Sequence, residues 1–280
     1  MPEKHITPIA ATQVFGQHGN TKTGECVFTK KQKHIPDVGV ICTCVARTSY
    51  HGFVLFATQV SDKPLITQEA LMCCRYYLKE NDPELAPVMD AALKSPLMPR
   101  FQKAHPAPLV RSGEVFPTNL VAVVASDRQM KPAVFPMIWG YTVPGRSAPI
   151  VNARVETAYE KPAFQEAWKK HRCAIPASWY FEWQHLPAEN GRNTVKTKYA
   201  IQPVDANITW LCGLYRIENG LPVFVVLTNE ASEDVAHIHD RMPVILPKGA
   251  IRQWVTPNTK PDAILCYSLT KLIAERAVTE

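Results

Sequence analysis

Residues 172–183 read RCAIPASWYFEW, and this stretch indicates the kind of secondary structure that recurs along the chain. Apolar and aromatic residues follow one another with no helical spacing, and a proline and a serine interrupt the run at Pro176 and Ser178. Such composition is typical of strands that are buried on at least one face. One carboxylate, Glu182, lies among the aromatic residues and needs a reason to be there.

Strand-like segments of the same kind occur on both sides of this stretch. They read NLVAVVAS at 119–126, FPMIWGY at 135–141, KYAIQPV at 198–204, TWLCGLY at 209–215 and PVFVVLTN at 222–229. Frequent prolines and unevenly placed helices argue against a regular parallel βαβ series. We therefore predict an α+β fold in which residues 72–280 form one domain, with a mixed or antiparallel, barrel-like curled sheet and flanking helices.

Helices are predicted at two well-marked places and three weaker ones. In residues 81–95 Asp82 is a candidate N-cap with Pro83 at the first helical position, and in residues 159–172 Pro162 begins a helix that buries Phe164, Ala167 and Trp168. Shorter helices fit residues 232–237, residues 248–255 and the tail after Ser268.

Composition limits the class of protein. No apolar run approaches the roughly 20 residues that span a bilayer, and residues 1–13 do not resemble a secretory signal, so we expect a cytoplasmic protein. The eight cysteines need not form disulfides, and Cys26, Cys42 and Cys44 match no usual zinc spacing, so no metal is expected. The net charge of +6 favours a polyanionic partner only weakly. Residues 1–71 contain strand-like runs at 38–46 and 52–60 but do not suggest a complete domain.

Four blocks place polar residues at the ends of apolar strands: VNARVET at 151–157, PASWYFEW at 176–183, VVLTNEA at 225–231 and IHDRMPVIL at 238–246. The polar side chains of interest are Asn152, Glu182, Thr228 and His239. Each can be explained by hydrogen bonds within a structural network. Their recurrence suggests a shared site instead.

Together with an internal MCCR at 72–75, these blocks resemble the SOS response-associated peptidase (SRAP) family, whose members crosslink to abasic sites in single-stranded DNA. The resemblance rests on seven motifs in the family's order: Met72–Arg75, FPTN at 116–119, Trp139–Gly140, Asn152–Glu156, HRCAIPASWYFEW at 171–183, VLTN at 226–229 and HDRMPVIL at 239–246. It covers nearly all of residues 72–280.

The resemblance implies that Cys73 is the reactive residue. In the family the cysteine after the initiator methionine becomes the first residue, and its α-amine and thiol capture the aldehyde of a ring-opened abasic sugar as a thiazolidine. Three histories of residues 1–71 stay open: translation starts at Met72, the leader is a propeptide that the fold cleaves after Met72, or the leader is retained in a relative that does not crosslink.

Roles for the other residues follow from the resemblance and from the needs of the reaction. Glu182 would shuttle protons during imine formation, because burial among apolar side chains favours the protonated carboxyl group. His239 would protonate the ring oxygen of the sugar to open it, or assist reversal. Asn152 would orient a sugar hydroxyl or the cysteine amine.

DNA contacts are assigned to seven residues: Arg75, Arg154, Arg241, Trp139, Thr118, Asn119 and Thr228. The arginines suit phosphate groups, although each can instead form an ion pair. Trp139 can stack on an exposed base, and core packing explains it equally well. Thr118, Asn119 and Thr228 would bond the DNA backbone near the lesion.

Three positions depart from the family motifs: Cys74 and Trp179 stand where the family has glycine, and Asn229 replaces a threonine. The resemblance implies a monomer that binds single-stranded DNA containing abasic sites, associates with the nucleoid, and needs no membrane and no small-molecule cofactor. Two other classes remain: a cysteine peptidase with a Cys73–His239 pair, and a non-covalent single-stranded DNA binding module.

Overall fold

The computed structural model describes residues 75–105, 107–188 and 194–277, and the backbone of three strands nearer the start of the chain. The chain divides into two compact units, residues 1–70 and residues 71–280. In the first unit β1 (Val27–Ile35), β2 (Gly39–Arg47) and β3 (Leu55–Gln59) form an antiparallel sheet in the order β1-β2-β3. Both strand-like runs predicted there, at 38–46 and 52–60, therefore contain a strand.

A closed five-stranded barrel forms the centre of the second unit. Its strands are β6 (Leu120–Ser126), β7 (Pro132–Trp139), β9 (Arg172–Ala177), β12 (Thr209–Glu218) and β13 (Leu221–Glu230). Neighbours pair in the order β13-β7-β6-β9-β12, and β12 pairs with β13 to close the ring. All these pairings are antiparallel except β13 with β7. The predicted α+β fold with a curled, mixed sheet is confirmed.

Short strands extend the barrel at the end that carries the polar blocks. They are β8 (Asn152–Arg154), which lies parallel to β13, and β14 (Arg241–Pro243) and β15 (Ile245–Leu246), which pair with β13 and β12.

A second sheet of five strands begins where β9 continues into β10 at Ser178. Its order is β16 (Leu272–Arg276), β11 (Thr194–Pro203), β10 (Trp179–Pro187), β4 (Arg75–Leu78) and β5 (Gly113–Val115). The Ser178 amide donates to the carbonyl oxygen of Tyr77, and its hydroxyl accepts from the amide of Lys79 at 2.8 Å. Residues 172–183 thus connect the barrel to the second sheet.

The helices lie around these sheets. They are α1 (Ala86–Leu93), α2 (Met98–Ala104), α3 (Val155–Ala158), α4 (Pro162–Lys170), α5 (Ile251–Val255), which a 3-10 turn at Lys248–Ala250 precedes, and α6 (Pro261–Leu265). The prediction for α4 is confirmed, including its buried face of Phe164, Ala167 and Trp168. Asp82 does accept from the amides of Glu84 and Leu85, but as a turn that precedes the regular helix.

Two predicted helices are wrong. Residues 232–237 form hydrogen-bonded turns. The residues on either side of them are paired, because the Ala231 amide donates to the Asp240 carbonyl oxygen at 3.0 Å next to β14. The tail after Ser268 forms β16, since an open edge of β11 offers it backbone partners from Tyr199 to Pro203. In both places tertiary pairing outweighs local helical preference.

Apolar side chains from both sheets and from α1, α2, α4 and α5 fill one continuous core. Cys173 and Cys212 lie within it, and burial raises the pKa of both thiols, so they behave as small apolar side chains, whereas Cys266 is exposed. Within the described ranges, no helix is long and apolar enough to cross a membrane.

Candidate functional site

The end of β13 brings several of the polar blocks together. Its Thr228 lies beside Arg154 of β8 on one side and Pro243 of β14 on the other, and Glu230 lies opposite Arg241. Asn152 begins β8 opposite Val226. Three blocks that are separate in the sequence therefore meet at one edge of the barrel, as the shared-site interpretation requires.

Arg241 forms the strongest polar contact at this edge. Its guanidinium donates to both carboxylate oxygens of Glu156, at 2.7 and 2.8 Å, and to the Thr228 carbonyl oxygen at 2.8 Å. These hydrogen bonds from Arg241 hold the pKa of the Glu156 carboxyl below its usual value. This ion pair connects α3 to β14, and the arginine in it is only 9% exposed. Of the two alternatives for Arg241, a contact with phosphate or an ion pair within the protein, the structure shows the ion pair.

His239 lies just before β14, with two different neighbours at one nitrogen. Nδ1 is 3.0 Å from the backbone nitrogen of Arg241 and 2.9 Å from Oδ1 of the exposed Asp240. A ring nitrogen is either a donor or an acceptor, so these contacts belong to different proton states. Unprotonated Nδ1 accepts from Arg241, and protonated Nδ1 donates to Asp240. Both neighbours hold the imidazole ring in place at the start of β14.

Glu182 is almost fully buried on β10, at 3% exposure. Its Oε1 accepts from the backbone nitrogen of Trp183 at 3.1 Å. Two residues further along the same face, Gln184 donates from Nε2 to the His237 carbonyl oxygen at 2.9 Å. This hydrogen bond ties the face of β10 that carries Glu182 to the segment that carries His239. Sequence reasoning missed both Gln184 and His237.

Arg75 begins β4 opposite Phe181, next to Glu182 along β10. It donates to Oε1 of Glu114 at 3.1 Å, and its guanidinium lies over the rings of Phe116 and Trp183. Lys198 also donates to Glu114, at 2.9 and 3.0 Å. Glu114 therefore accepts hydrogen bonds from two cations, Arg75 and Lys198, and the Arg75 side chain remains partly exposed.

Arg154 differs from the other two arginines. It is exposed at the end of β8 and forms no ion pair with any described residue. Its charge helps to lower the pKa of the Glu156 carboxyl, and its exposed guanidinium can also bind an anion at the edge that holds Asn152.

The predicted DNA contacts at 116–119 form a tight turn. Oδ1 of Asn119 accepts from the Phe116 amide at 2.9 Å, and the amide of Thr118 donates to the Trp139 carbonyl oxygen at 2.8 Å. Thr118 is exposed and has a φ of +72°, a backbone conformation that strains a β-branched residue. Strain of this kind concentrates at functional positions.

Base stacking by Trp139 does not fit its position. The ring is 1% exposed, packs against Tyr76 and Phe224, and donates from Nε1 to the Val151 carbonyl oxygen at 3.0 Å. The core-packing alternative is therefore correct. A tryptophan at a strand end cannot be assigned to the core or the surface from its motif alone.

Polar atoms without a partner among the described residues are concentrated near the end of β13. Oγ1 of Thr228, Oγ1 of Thr157, Oδ1 of Asn229 and Nε of Arg241 are all buried in this state. Buried polar atoms of this kind are usually satisfied by a neighbouring group or by water.

Cys73, Met72 and Cys74 lie outside the described residues, as do the side chains of Cys42 and Cys44 and the whole of Cys26. Trp179, at a family glycine position, stacks on Tyr77 with a centroid distance of 4.5 Å. In the described part of the chain, no group of three or more histidine, cysteine or acidic side chains is arranged to hold a metal ion.

Comparison with known proteins gives relatives of one kind. The abasic site processing protein YoaM of Bacillus subtilis is 36% identical over 119 residues, or 40% of this chain and 50% of that protein. The abasic site processing protein YedK of Escherichia coli is 30% identical over 139 residues, or 48% of this chain and 60% of that protein. The match thus spans about half the length of the Bacillus relative.

Solved structures share the fold. A phage-related protein of Bordetella bronchiseptica has a TM-score of 0.56 at 25% identity, covering 74% of this chain and 95% of its own. A protein of Bacteroides thetaiotaomicron has a TM-score of 0.54 at 22% identity, covering 72% and 91%. The family model described as SOS response associated peptidase matches residues 72–279. By this match over most of its length, the chain belongs to the SRAP family.

Proposed function

We propose that this protein captures abasic sites in single-stranded DNA by a covalent bond to Cys73, once Cys73 is the first residue of the chain. Family membership and relatives named as abasic site processing proteins support a role at such lesions. The structural observation that carries the proposal is the buried Glu182 beside the start of β4. Cys73 precedes Arg75 by two residues, which limits it to about 7 Å of chain from that point.

The reaction needs two bonds to one carbon. The neutral α-amine of Cys73 attacks the aldehyde carbon of the open sugar, and the resulting carbinolamine loses water to give an imine. The Cys73 thiolate then adds to the same carbon while the imine nitrogen takes a proton. A thiazolidine ring and one water molecule result, with no change in oxidation state. An internal cysteine has no α-amine and cannot close this ring.

Glu182 and His239 divide the proton transfers in this proposal. The carboxyl group of Glu182 donates the proton that lets hydroxide leave as water, since a buried carboxyl group favours its protonated form. His239 supplies a proton to the ring oxygen of the closed sugar while the anomeric hydroxyl loses its proton to water, so the bond between the ring oxygen and the anomeric carbon breaks and the aldehyde forms. Asn152 orients the sugar hydroxyl from the opposite strand of the site.

DNA is held by few charged groups. Arg154 is the exposed cation at the edge of β8, and Arg75 lies partly exposed at the start of β4. The turn at 116–119 offers the exposed Thr118 hydroxyl, whereas Thr228 is 0% exposed and in this conformation does not contact the DNA backbone. In this arrangement Arg241 shapes the site through Glu156 and does not contact phosphate.

The test uses two proteins and one labelled oligonucleotide with a single abasic site. Protein produced from Met72, with loss of that methionine verified by intact mass, should give a slower-migrating species on a denaturing gel. Protein that retains residues 1–72 should give none. Cys73→Ala is the matched control, because alanine keeps the α-amine but has no side-chain nucleophile to close a ring.

Rival functions give other results. Binding that is lost on denaturation would identify a non-covalent module, and turnover of a peptide without DNA attachment would identify a peptidase. Correctly folded protein with Cys73 at its amino terminus that leaves abasic DNA unmodified would refute the proposal.

A further inference from the structure

The outer face of the second sheet carries aromatic side chains that the proposed chemistry does not use. In β4 Arg75 and Tyr77 are half-buried, whereas Tyr76 and Leu78 face the core. Trp179 lies directly opposite Tyr77 across the β4–β10 pairing, so both side chains leave the same face. Phe181 and Trp183 follow on that face at two-residue intervals.

These rings form an ordered group. Trp179 and Tyr77 are parallel at 4.5 Å, and Phe181 presents an edge to each, at 6.5 and 6.3 Å. Nε1 of Trp179 is buried with no hydrogen-bond partner among the described residues. The indole is therefore held by stacking. Phe181 is only 5% exposed and supports the group from below, whereas Tyr77, Trp179 and Trp183 are half-buried on a rigid sheet and can receive a further flat ring.

Cations border the rings. Nζ of Lys198 lies 3.8 Å from the centre of the Phe181 ring, and Arg75 lies over Trp183. Lys196 is exposed two residues from Lys198 on the same face. The carboxylates on this face are Glu114, which holds both Arg75 and Lys198, and Glu275 of β16, so the cations outnumber the acids among the described residues. Aromatic rings bordered by cations match the chemistry of single-stranded nucleic acid.

We propose that the face defined by Tyr77, Trp179, Phe181, Trp183 and Lys198 is a stacking platform for undamaged bases that flank the lesion. The inference rests on the proposed function for its choice of ligand. Arg75 lies on this face at the start of the strand that carries Tyr77, two residues after Cys73 in the sequence, and for that reason we assign the bases next to the captured sugar to this face. Stacking does not distinguish the bases, so the platform holds any sequence.

The experiment measures affinity for an oligonucleotide without an abasic site. Fluorescence anisotropy compares the unaltered protein with Trp179→Leu and Tyr77→Leu. The control is Tyr267→Leu, because Tyr267 is an exposed aromatic residue outside the second sheet. Each platform variant should bind at least about fivefold more weakly, with an unchanged salt dependence, since no charge is removed. The control variant should bind like the unaltered protein.

Affinity within about twofold of the unaltered protein for both platform variants, at an unchanged unfolding midpoint, overturns the inference. If either variant fails to fold, a photocrosslinking experiment takes its place. In that experiment the unaltered protein is irradiated together with an oligonucleotide that contains iodouracil. Attachment at Tyr77 or Trp179 in peptide mapping supports the platform, and attachment only elsewhere, or none, overturns it.

Failure of the proposed function is distinguishable from failure of the platform. Undamaged DNA cannot form the covalent bond, so weakened binding by Trp179→Leu in a protein that never captures abasic DNA supports the platform and refutes the chemistry. Covalent capture with no effect of either variant on affinity refutes the platform alone.

Discussion

Replacing Glu156 by glutamine tests whether the contact with Arg241 builds the site edge. The substitution keeps the shape of the side chain but removes its charge and one of the two acceptors that Arg241 uses at 2.7 and 2.8 Å. Removing one partner of a fully buried pair costs about 3–5 kcal/mol, and an exposed pair contributes about 0–1 kcal/mol. Arg241 is 9% exposed and Glu156 is 44% exposed, so water screens part of the contact. We expect a loss of about 2 kcal/mol in the free energy of unfolding at pH 7.

The pH dependence of this loss has a defined sign. The Arg241 hydrogen bonds lower the pKa of Glu156 from 4.5 in the folded protein, so its contribution is complete above the unfolded value and disappears as pH falls through the folded value. The difference between the unaltered protein and Glu156→Gln should therefore stay constant from about pH 7 to about pH 5 and shrink below about pH 4.5.

Urea unfolding at several pH values measures this difference directly. Glu166→Gln is the matched control, because Glu166 is 75% exposed and lies 3.8 Å from Lys170 within one helix, so its loss should cost under about 0.5 kcal/mol. In thermal unfolding, a domain of 150–250 residues should lose about 4–8 °C with Glu156→Gln. Equal stabilities of the two variants, or a difference that does not shrink in acid, would show that the reasoning about Arg241 is incorrect.

Three further outcomes are expected. Glu182→Gln should slow crosslinking to abasic DNA by about 100-fold or more while the dissociation constant for undamaged DNA stays unchanged, as gel time courses and anisotropy can check. Arg154→Gln should weaken single-stranded DNA binding and reduce the slope of log affinity against log salt by about 0.7, and an unchanged slope would exclude a phosphate contact. Thr118→Gly should raise the free energy of unfolding, measured with urea, by about 1 kcal/mol, because glycine relieves the strain of a φ of +72°. The same substitution should weaken DNA binding, because it removes the hydroxyl group. A destabilised variant would contradict the strain argument.

Much of the fold could be predicted from the sequence because its strands carry their own signal. Apolar and β-branched runs such as residues 119–126 and 222–229 specify strands locally, and the prediction places β6 and β13 correctly. The strand β16 has no such signal, since its pairing depends on an open edge of β11 that only the assembled sheet provides. The helix predicted at residues 232–237 is wrong for the same reason, since the turns there depend on pairing with a distant segment.

The sequence predicted that its polar blocks lie together, and three of them meet at the end of β13, but it did not predict which partner each side chain has. Arg75, Arg154 and Arg241 are equivalent in the sequence, and only the fold shows that Arg241 meets Glu156, 85 positions away, while Arg154 forms no ion pair with a described acid. The strained backbone at Thr118 also has no sequence signature, because threonine rarely adopts positive φ.

This division of charge bears on how the protein would hold DNA. A phosphate contact adds about 0.7 to the salt slope for single strands, so one or two available arginines supply only a small electrostatic affinity. Arg241 is bound to Glu156 and Arg75 is partly neutralised by Glu114, which leaves Arg154 as the arginine of the three without an ion pair among the described residues. Weak, fast binding suits a protein that must leave intact DNA, provided that a covalent bond forms at the lesion. Under the proposed chemistry, discrimination would depend on the aldehyde itself, which intact nucleotides lack. The buried Glu182 would then contribute to the rate of capture and not to the affinity for intact strands.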